Sequence, residues 1–94
     1  MPTKVNAQHI LVKSKEEADS IISELNAGKS FEDMARAKSI CPSAKKGGNL
    51  GWFSHGQMVK EFERAAFSTK KGKLSEPVKT QFGWHIIKVK DTYG

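Results

Sequence analysis

The sequence predicts an α+β domain: one small, mostly antiparallel sheet of four short strands, packed by helices. Three observations predict it. Residues 5–12 and 84–89 are β-branched, strand-like runs near the two ends of the chain. Between them, apolar residues recur at helical spacing behind serine N-caps. At 94 residues the chain has room for one core and not for two, so a single domain over 1–94 is expected.

Residues 5–12 read as the first strand, with Val5, Ala7, His9 and Leu11 on one face. Ser14 and Glu17 make a capping-box pattern that opens a helix. Ala18, Ile21, Ile22 and Leu25 follow at helical spacing, and Gly28 closes it. Ser30 caps a shorter helix that turns Phe31, Met34 and Ala35 inward. Cys41-Pro42-Ser43 breaks that helix, and residues 45–48 read as a loop. A short strand over 49–53 ends at Ser54-His55-Gly56. Residues 58–67 read as a third helix, with Val59, Phe62 and Ala66 one turn apart. After a turn at 71–73 comes an edge strand over 74–78, because only an edge tolerates Pro77. Residues 84–89 form the last and strongest strand. The expected order is strand, two or three helices, strand, helix, strand, strand.

Composition narrows the function classes. The chain carries 16 Lys+Arg against 10 Asp+Glu, a formal net charge of +6. Such a field favours nucleic acid, ribosomes or anionic membrane surfaces. The lysines are scattered, however, and acids interrupt them, as in Lys15-Glu16-Glu17, so a solvated surface is the expected use. One cysteine excludes an internal disulfide framework and a zinc site built on several thiolates. No apolar run approaches the roughly 20 residues that span a bilayer, so membrane insertion is not expected. The start, Met1-Pro2-Thr3-Lys4-Val5, lacks the apolar stretch of a secretion signal. A soluble, cytoplasmic, monomeric protein is the expectation.

Two histidines fall within strands. His9 shares a face with Ala7 and Leu11, and His85 with Ile87 and Val89. An imidazole on an apolar face needs a hydrogen-bond partner or costs about 1–3 kcal/mol. If the first and last strands lie side by side, each histidine is the natural partner of the other. The same pattern also suits two satisfied core histidines with structural work alone. His55, in a Ser-His-Gly turn, is expected to be simply exposed. Cys41 stands where a side chain can point into a cleft. With His9 and His85 it could make a Cys–His nucleophile pair or a one-sulfur, two-nitrogen metal site. No local nucleophile signature, H-x-x-x-H or C-x-x-C supports either, and an inert cysteine stays open. Met58 and Phe62, at i and i+4, suit core packing or the wall of an apolar pocket.

Five segments carry a family resemblance: His9-Ile10-Leu11-Val12, Cys41-Pro42-Ser43-Ala44-Lys45, Gly48-Asn49-Leu50-Gly51, Gly56-Gln57-Met58-Val59 and Phe82-Gly83-Trp84-His85-Ile86-Ile87. In order and spacing, over nearly the whole chain, they resemble a parvulin-type peptidyl-prolyl cis/trans isomerase. The resemblance implies the FKBP-like βα3βαβ2 fold, in a small stand-alone catalytic domain. It implies rotation about Xaa–Pro bonds of unfolded or flexible segments, with no cofactor and no metal. Position by position it makes His9 and His85 the histidines that bond each other beneath the cleft. Cys41 falls where some parvulins have Cys and others Asp, and Thr80 is the hydroxyl tied to the histidines. Leu50, Met58 and Phe62 match the pocket for the proline ring, which Phe82 extends. Phosphorylation-directed members carry a basic loop after the first strand. Here that connection is Lys13-Ser14-Lys15-Glu16, so phosphate selectivity is not implied. The competing class is a chaperone-like module that holds apolar segments with little turnover.

Overall fold

The computed structural model describes residues 2–94. Strand β1 (Lys4–Val12) leads into helices α1 (Lys15–Asn26) and α2 (Phe31–Lys38) and a 3-10 helix (Pro42–Lys46). Strand β2 (Asn49–Ser54), helix α3 (Lys60–Ser68) and strands β3 (Val78–Thr80) and β4 (Gly83–Tyr93) complete the order. The sheet runs β2-β1-β4-β3, and all three pairings are antiparallel. The chain's first and last strands are therefore central neighbours, paired from Lys4 opposite Tyr93 to Val12 opposite Trp84 with a one-residue shift between Asn6 and Ala7.

Both faces of the central strands are buried, which is why they are rich in β-branched residues. On one face Val5, Ala7, Ile87 and Val89 pack with Phe53 of β2 and with Phe62, Ala66 and Phe67 of α3. On the other, Ile10, Val12 and Ile86 meet Ala18 and Ile21 of α1 and Phe31, Met34 and Ala35 of α2. Burying each such aliphatic side chain contributes about 1.5–3 kcal/mol. The N-caps form as expected: Ser14 Oγ accepts from the Glu17 amide at 3.2 Å, and Ser30 Oγ from that of Asp33 at 3.3 Å.

The sequence expectation and the structure differ most in four places. The loop expected over 45–48 overlaps a 3-10 helix, Pro42–Lys46, which is the third helix before the second strand, opened by Pro42 and closed by Gly47 in the left-handed region. Helix α3 begins at Lys60 rather than at 58, so Met58 and Phe62 do not share a helix face. The strand expected over 74–78 is reduced to a single bridge, Leu74 with Lys88, and the paired strand is Val78–Thr80. Along this edge the Ser75 amide donates to the Ile87 carbonyl, and the Ser75 hydroxyl oxygen accepts from the Ile87 amide. A side chain thus replaces a backbone carbonyl there, and Pro77 has no N–H to extend the ladder. Lastly, β4 continues to Tyr93, past the end expected at 89.

Gly48 joins the 3-10 helix to the sheet. Its carbonyl accepts from the His9 amide at 2.9 Å, its φ is +82°, and a Cβ would collide with the His9 carbonyl oxygen. Only glycine lets the backbone approach β1 this closely, which fixes the Cys41 segment beside His9.

Candidate active site

His9 lies opposite Ile87, and His85 opposite Leu11, so the two imidazoles are diagonal neighbours on the face that α3 covers. Diagonal positions on a sheet are about 7–8 Å apart, within reach of two rings. The rings stack at 5.2 Å with an 18° tilt, and Nδ1 of His9 lies 3.0 Å from Nδ1 of His85. Each outer nitrogen finds a hydroxyl: His9 Nε2 is 3.1 Å from Ser43 Oγ, and His85 Nε2 is 2.7 Å from Thr80 Oγ1. The chain continues at both ends. The Ser43 hydroxyl donates to Cys41 Sγ at 3.4 Å, and Thr80 Oγ1 accepts from the Phe82 amide at 3.2 Å.

Proton counting orients the whole chain. If Ser43 donates to sulfur, it accepts from His9 Nε2–H, and His9 Nδ1 is then an acceptor. His85 must then donate through Nδ1–H, and its Nε2 accepts from the Thr80 hydroxyl. Every group donates once, from the Phe82 amide to the Cys41 sulfur, and both imidazoles are neutral. Burial supports that neutrality. It lowers His9 from its ordinary 6.5 to about 4, with the neighbouring His85 adding to the effect, and it lowers His85 to about 4 as well.

Above the histidines opens a groove of about 530 Å³. Phe62 forms its floor, edge-on to both imidazoles at 5.4 Å from His9 and 5.2 Å from His85. All four expected apolar residues, Leu50, Met58, Phe62 and Phe82, line it, together with His9, His85 and Cys41. Thr80 does not reach the groove; it lies buried behind His85. Phe82 and Ile40, which both line the groove, are 58% and 51% exposed. Sequence reasoning missed Leu11, Ile40, Pro42, Gln57 and Val59 as lining residues, and Ser43 as the link between thiol and imidazole. The Cys-Pro-Ser segment is the signal for Ser43, because Cys41 takes the N-cap position of a proline-led helix and Ser43 stands two residues on in its first turn.

Among the described residues no hydrogen bond joins Cys41 directly to a histidine; Ser43 stands between them. No cluster of three or more His, Cys, Asp or Glu in those residues is arranged to hold a metal ion. His55 is exposed, but not simply so: it stacks on Phe67 at 4.0 Å and its Nδ1 lies 3.1 Å from Glu63 Oε2. A larger concavity of about 800 Å³ lies between α1 and residues 72–77, bordered by Lys15, Asp19, Lys73 and Glu76. It contains neither thiol nor imidazole, so chemistry and not volume selects the groove.

Comparison with known proteins gives the same picture. The family model for the rotamase, a PPIC-type PPIase domain, matches residues 3–91. The chain is 54% identical over 89 residues to foldase protein PrsA 1 of Bacillus cereus, covering 94% of this chain and 31% of that protein. It spans about a third of the length of the curated relatives it matches. It superposes on the crystal structure of peptidylprolyl isomerase PrsA from Bacillus anthracis with a TM-score of 0.96 at 41% identity, covering 99% of this chain and 43% of that one. On the solution structure of NmPin, the parvulin of Nitrosopumilus maritimus, the TM-score is 0.85 at 46% identity, covering 100% of this chain and 99% of the other. With its fold, its paired histidines and a family match across nearly its whole length, this chain belongs to the parvulins, the PPIC-type peptidyl-prolyl isomerase domains.

Proposed function

We propose that this chain is a peptidyl-prolyl cis/trans isomerase that turns Xaa–Pro bonds in unfolded or flexible polypeptides, with no requirement for phosphorylation. The apolar groove set directly on a neutral histidine pair carries this reading. The foldase named among its relatives supports a role in folding. No lysine or arginine lines the groove among the described residues, which supports indifference to a phosphate before proline.

Rotation about an Xaa–Pro bond makes and breaks no covalent bond. Its barrier of about 18–20 kcal/mol is amide resonance, and uncatalysed exchange takes tens to hundreds of seconds. Resonance separates charge, so a water-poor groove destabilises the planar amide relative to the twisted one. Leu50, Met58 and Phe62 clamp the proline ring while the preceding carbonyl swings past Cys41. Lowering the barrier by about 5.5 kcal/mol speeds exchange roughly 10⁴-fold. The histidine pair does not exchange protons with the substrate. It holds Ser43, and Ser43 in turn orients the sulfur at the groove wall.

Cys41 acts electrostatically at the carbonyl and not as a covalent nucleophile. An aspartate there still accepts from the Ser43 hydroxyl and keeps a polar group at the wall. A protease-coupled assay on Xaa-Pro peptides should therefore find Cys41→Asp within about five-fold of wild type and Cys41→Ala slower by about ten-fold or more. An inactive Cys41→Asp variant with an intact fold would revive the covalent route. Binding without acceleration by wild type would favour the chaperone-like module instead. A single catalytic domain over 1–94, working as a monomer in the cytoplasm, completes the proposal. The lone thiol in the groove suits a reducing compartment. Cell fractionation and sedimentation velocity test location and monomer; recovery in an oxidising compartment or as a dimer would contradict them.

A further inference from the structure

Five residues, 55–59, connect β2 to α3, and three of them, Gln57, Met58 and Val59, line the groove. No helix or strand holds them. At the near end Gln57 Oε1 accepts from the Ser54 amide at 2.6 Å, and at the far end the Val59 carbonyl accepts from the Glu63 amide at 2.9 Å. The first two residues of the loop, His55 and Gly56, are tied by one carboxylate. Glu63 Oε1 accepts from the Gly56 amide at 2.6 Å, while Oε2 lies 3.1 Å from His55 Nδ1. Gly56 takes φ +89°, a left-handed turn that aims its N–H back at α3. The His55 ring in turn lies flat on Phe67, so the loop is pinned to the helix on both sides of the carboxylate. The same helix presents Phe62, the groove floor, one residue before Glu63.

We propose that Glu63 is a positioning residue for the groove: by clamping Gly56 and His55 it holds Met58 over the Phe53–Phe62 cluster at the spacing a proline ring needs. The inference rests on the reading of the groove as the proline site. Two features separate the clamp from the fold. The Glu63 side chain is 23% exposed and belongs to neither buried apolar cluster, so truncating Glu63 removes no core packing. It also touches none of the hydrogen-bonded chain from Phe82 to Cys41. The hydrogen bonds from Gly56 and His55 hold the Glu63 carboxyl below its ordinary range, keeping it ionised as the acceptor the loop requires.

The test compares wild type with Glu63→Ala, Glu63→Gln and Glu61→Ala, which removes an exposed acid from the same helical turn. Each protein is assayed on one Ala-Pro peptide for KM and kcat, titrated for its dissociation constant, and followed by amide exchange at Gly56. Glu63→Ala should raise KM about five-fold or more, leave kcat within about two-fold, and speed Gly56 exchange about ten-fold. Glu63→Gln should recover much of the loss, because its amide oxygen still accepts from Gly56, and Glu61→Ala should change nothing. A wild-type KM in Glu63→Ala, or equal effects of Glu61→Ala and Glu63→Ala, would overturn the clamp. If wild type binds the peptide without turning it over, the isomerase reading falls, and the dissociation constants still decide the clamp. A wild type that does not bind overturns both.

Discussion

Replacing His85 by alanine should lower the unfolding free energy by about 3 kcal/mol and slow isomerisation about ten-fold or more. The change opens a cavity beside Phe62 and orphans two buried groups at once, Nδ1 of His9 and the hydroxyl of Thr80. His9→Ala should cost a similar amount, since it strips the partners of His85 and Ser43. The double variant should cost less than the sum, because each single change already breaks the shared bond. The same pair sets an acid limit. Both histidines have folded values near 4 against an ordinary 6.5, so below pH 6.5 the unfolded chain binds protons that the folded chain refuses. Stability should therefore be level above about pH 7 and fall as pH drops from 6.5 through 4. The carboxyls of Glu32, Glu63 and Asp91 are held below their ordinary values of 4.5, 4.5 and 3.8, so their losses come later, at more acid pH. Urea titrations across pH 4.5–6.5 check the sign. His85→Asn should flatten the slope, and an unchanged slope would show that the pair is not its source.

Phe62→Ala should be the most damaging change, lowering stability by about 3–5 kcal/mol. Phe62 is only 3% exposed and touches Phe53, His9 and His85 with its ring. Against a total stability of about 5–15 kcal/mol, that loss brings the domain close to unfolding. Function is better read from Phe62→Leu, which keeps most of the volume and loses the edge-on contacts to the imidazoles. It should stay folded, with a stability loss of about 1–2 kcal/mol, and still bind proline peptides less tightly. Urea unfolding and peptide titration on the two variants separate floor from core. Wild-type affinity in Phe62→Leu would place the proline ring elsewhere.

What could be read in advance followed regular periodicity. His9 and His85 are matched from sequence because a strand's alternation assigns each to a face, and the two strands proved to be central neighbours. The serine caps of α1 and α2 are local signals and are found where Ser14 and Ser30 predict them. Features set by irregular backbone were not legible. Ser43 joins Cys41 to His9 only because the 3-10 helix places it there. Helix α3 starts without a side-chain cap at Val59, so nothing in the sequence marks its first residue, and Met58, expected within the helix, belongs to the loop. The Glu63 clamp joins residues seven and eight apart across a turn, a spacing that neither strand nor helix periodicity points to. The edge at 74–78 failed as a strand because the Ser75 hydroxyl takes the place of a ladder carbonyl.

Exchange NMR on a panel of short Xaa-Pro peptides, with wild type and Met58→Ala side by side, tests the central claim most directly. Met58 lines the groove outside any helix and outside the hydrogen-bonded chain, and it is only partly buried against the core, so its truncation probes the proline site with a small cost in packing. Wild type should accelerate cis/trans exchange across unphosphorylated peptides, and Met58→Ala should lose about ten-fold or more of that acceleration while keeping its fold. Line broadening from binding with no acceleration by wild type, or equal rates for wild type and Met58→Ala, would contradict a groove that turns proline bonds.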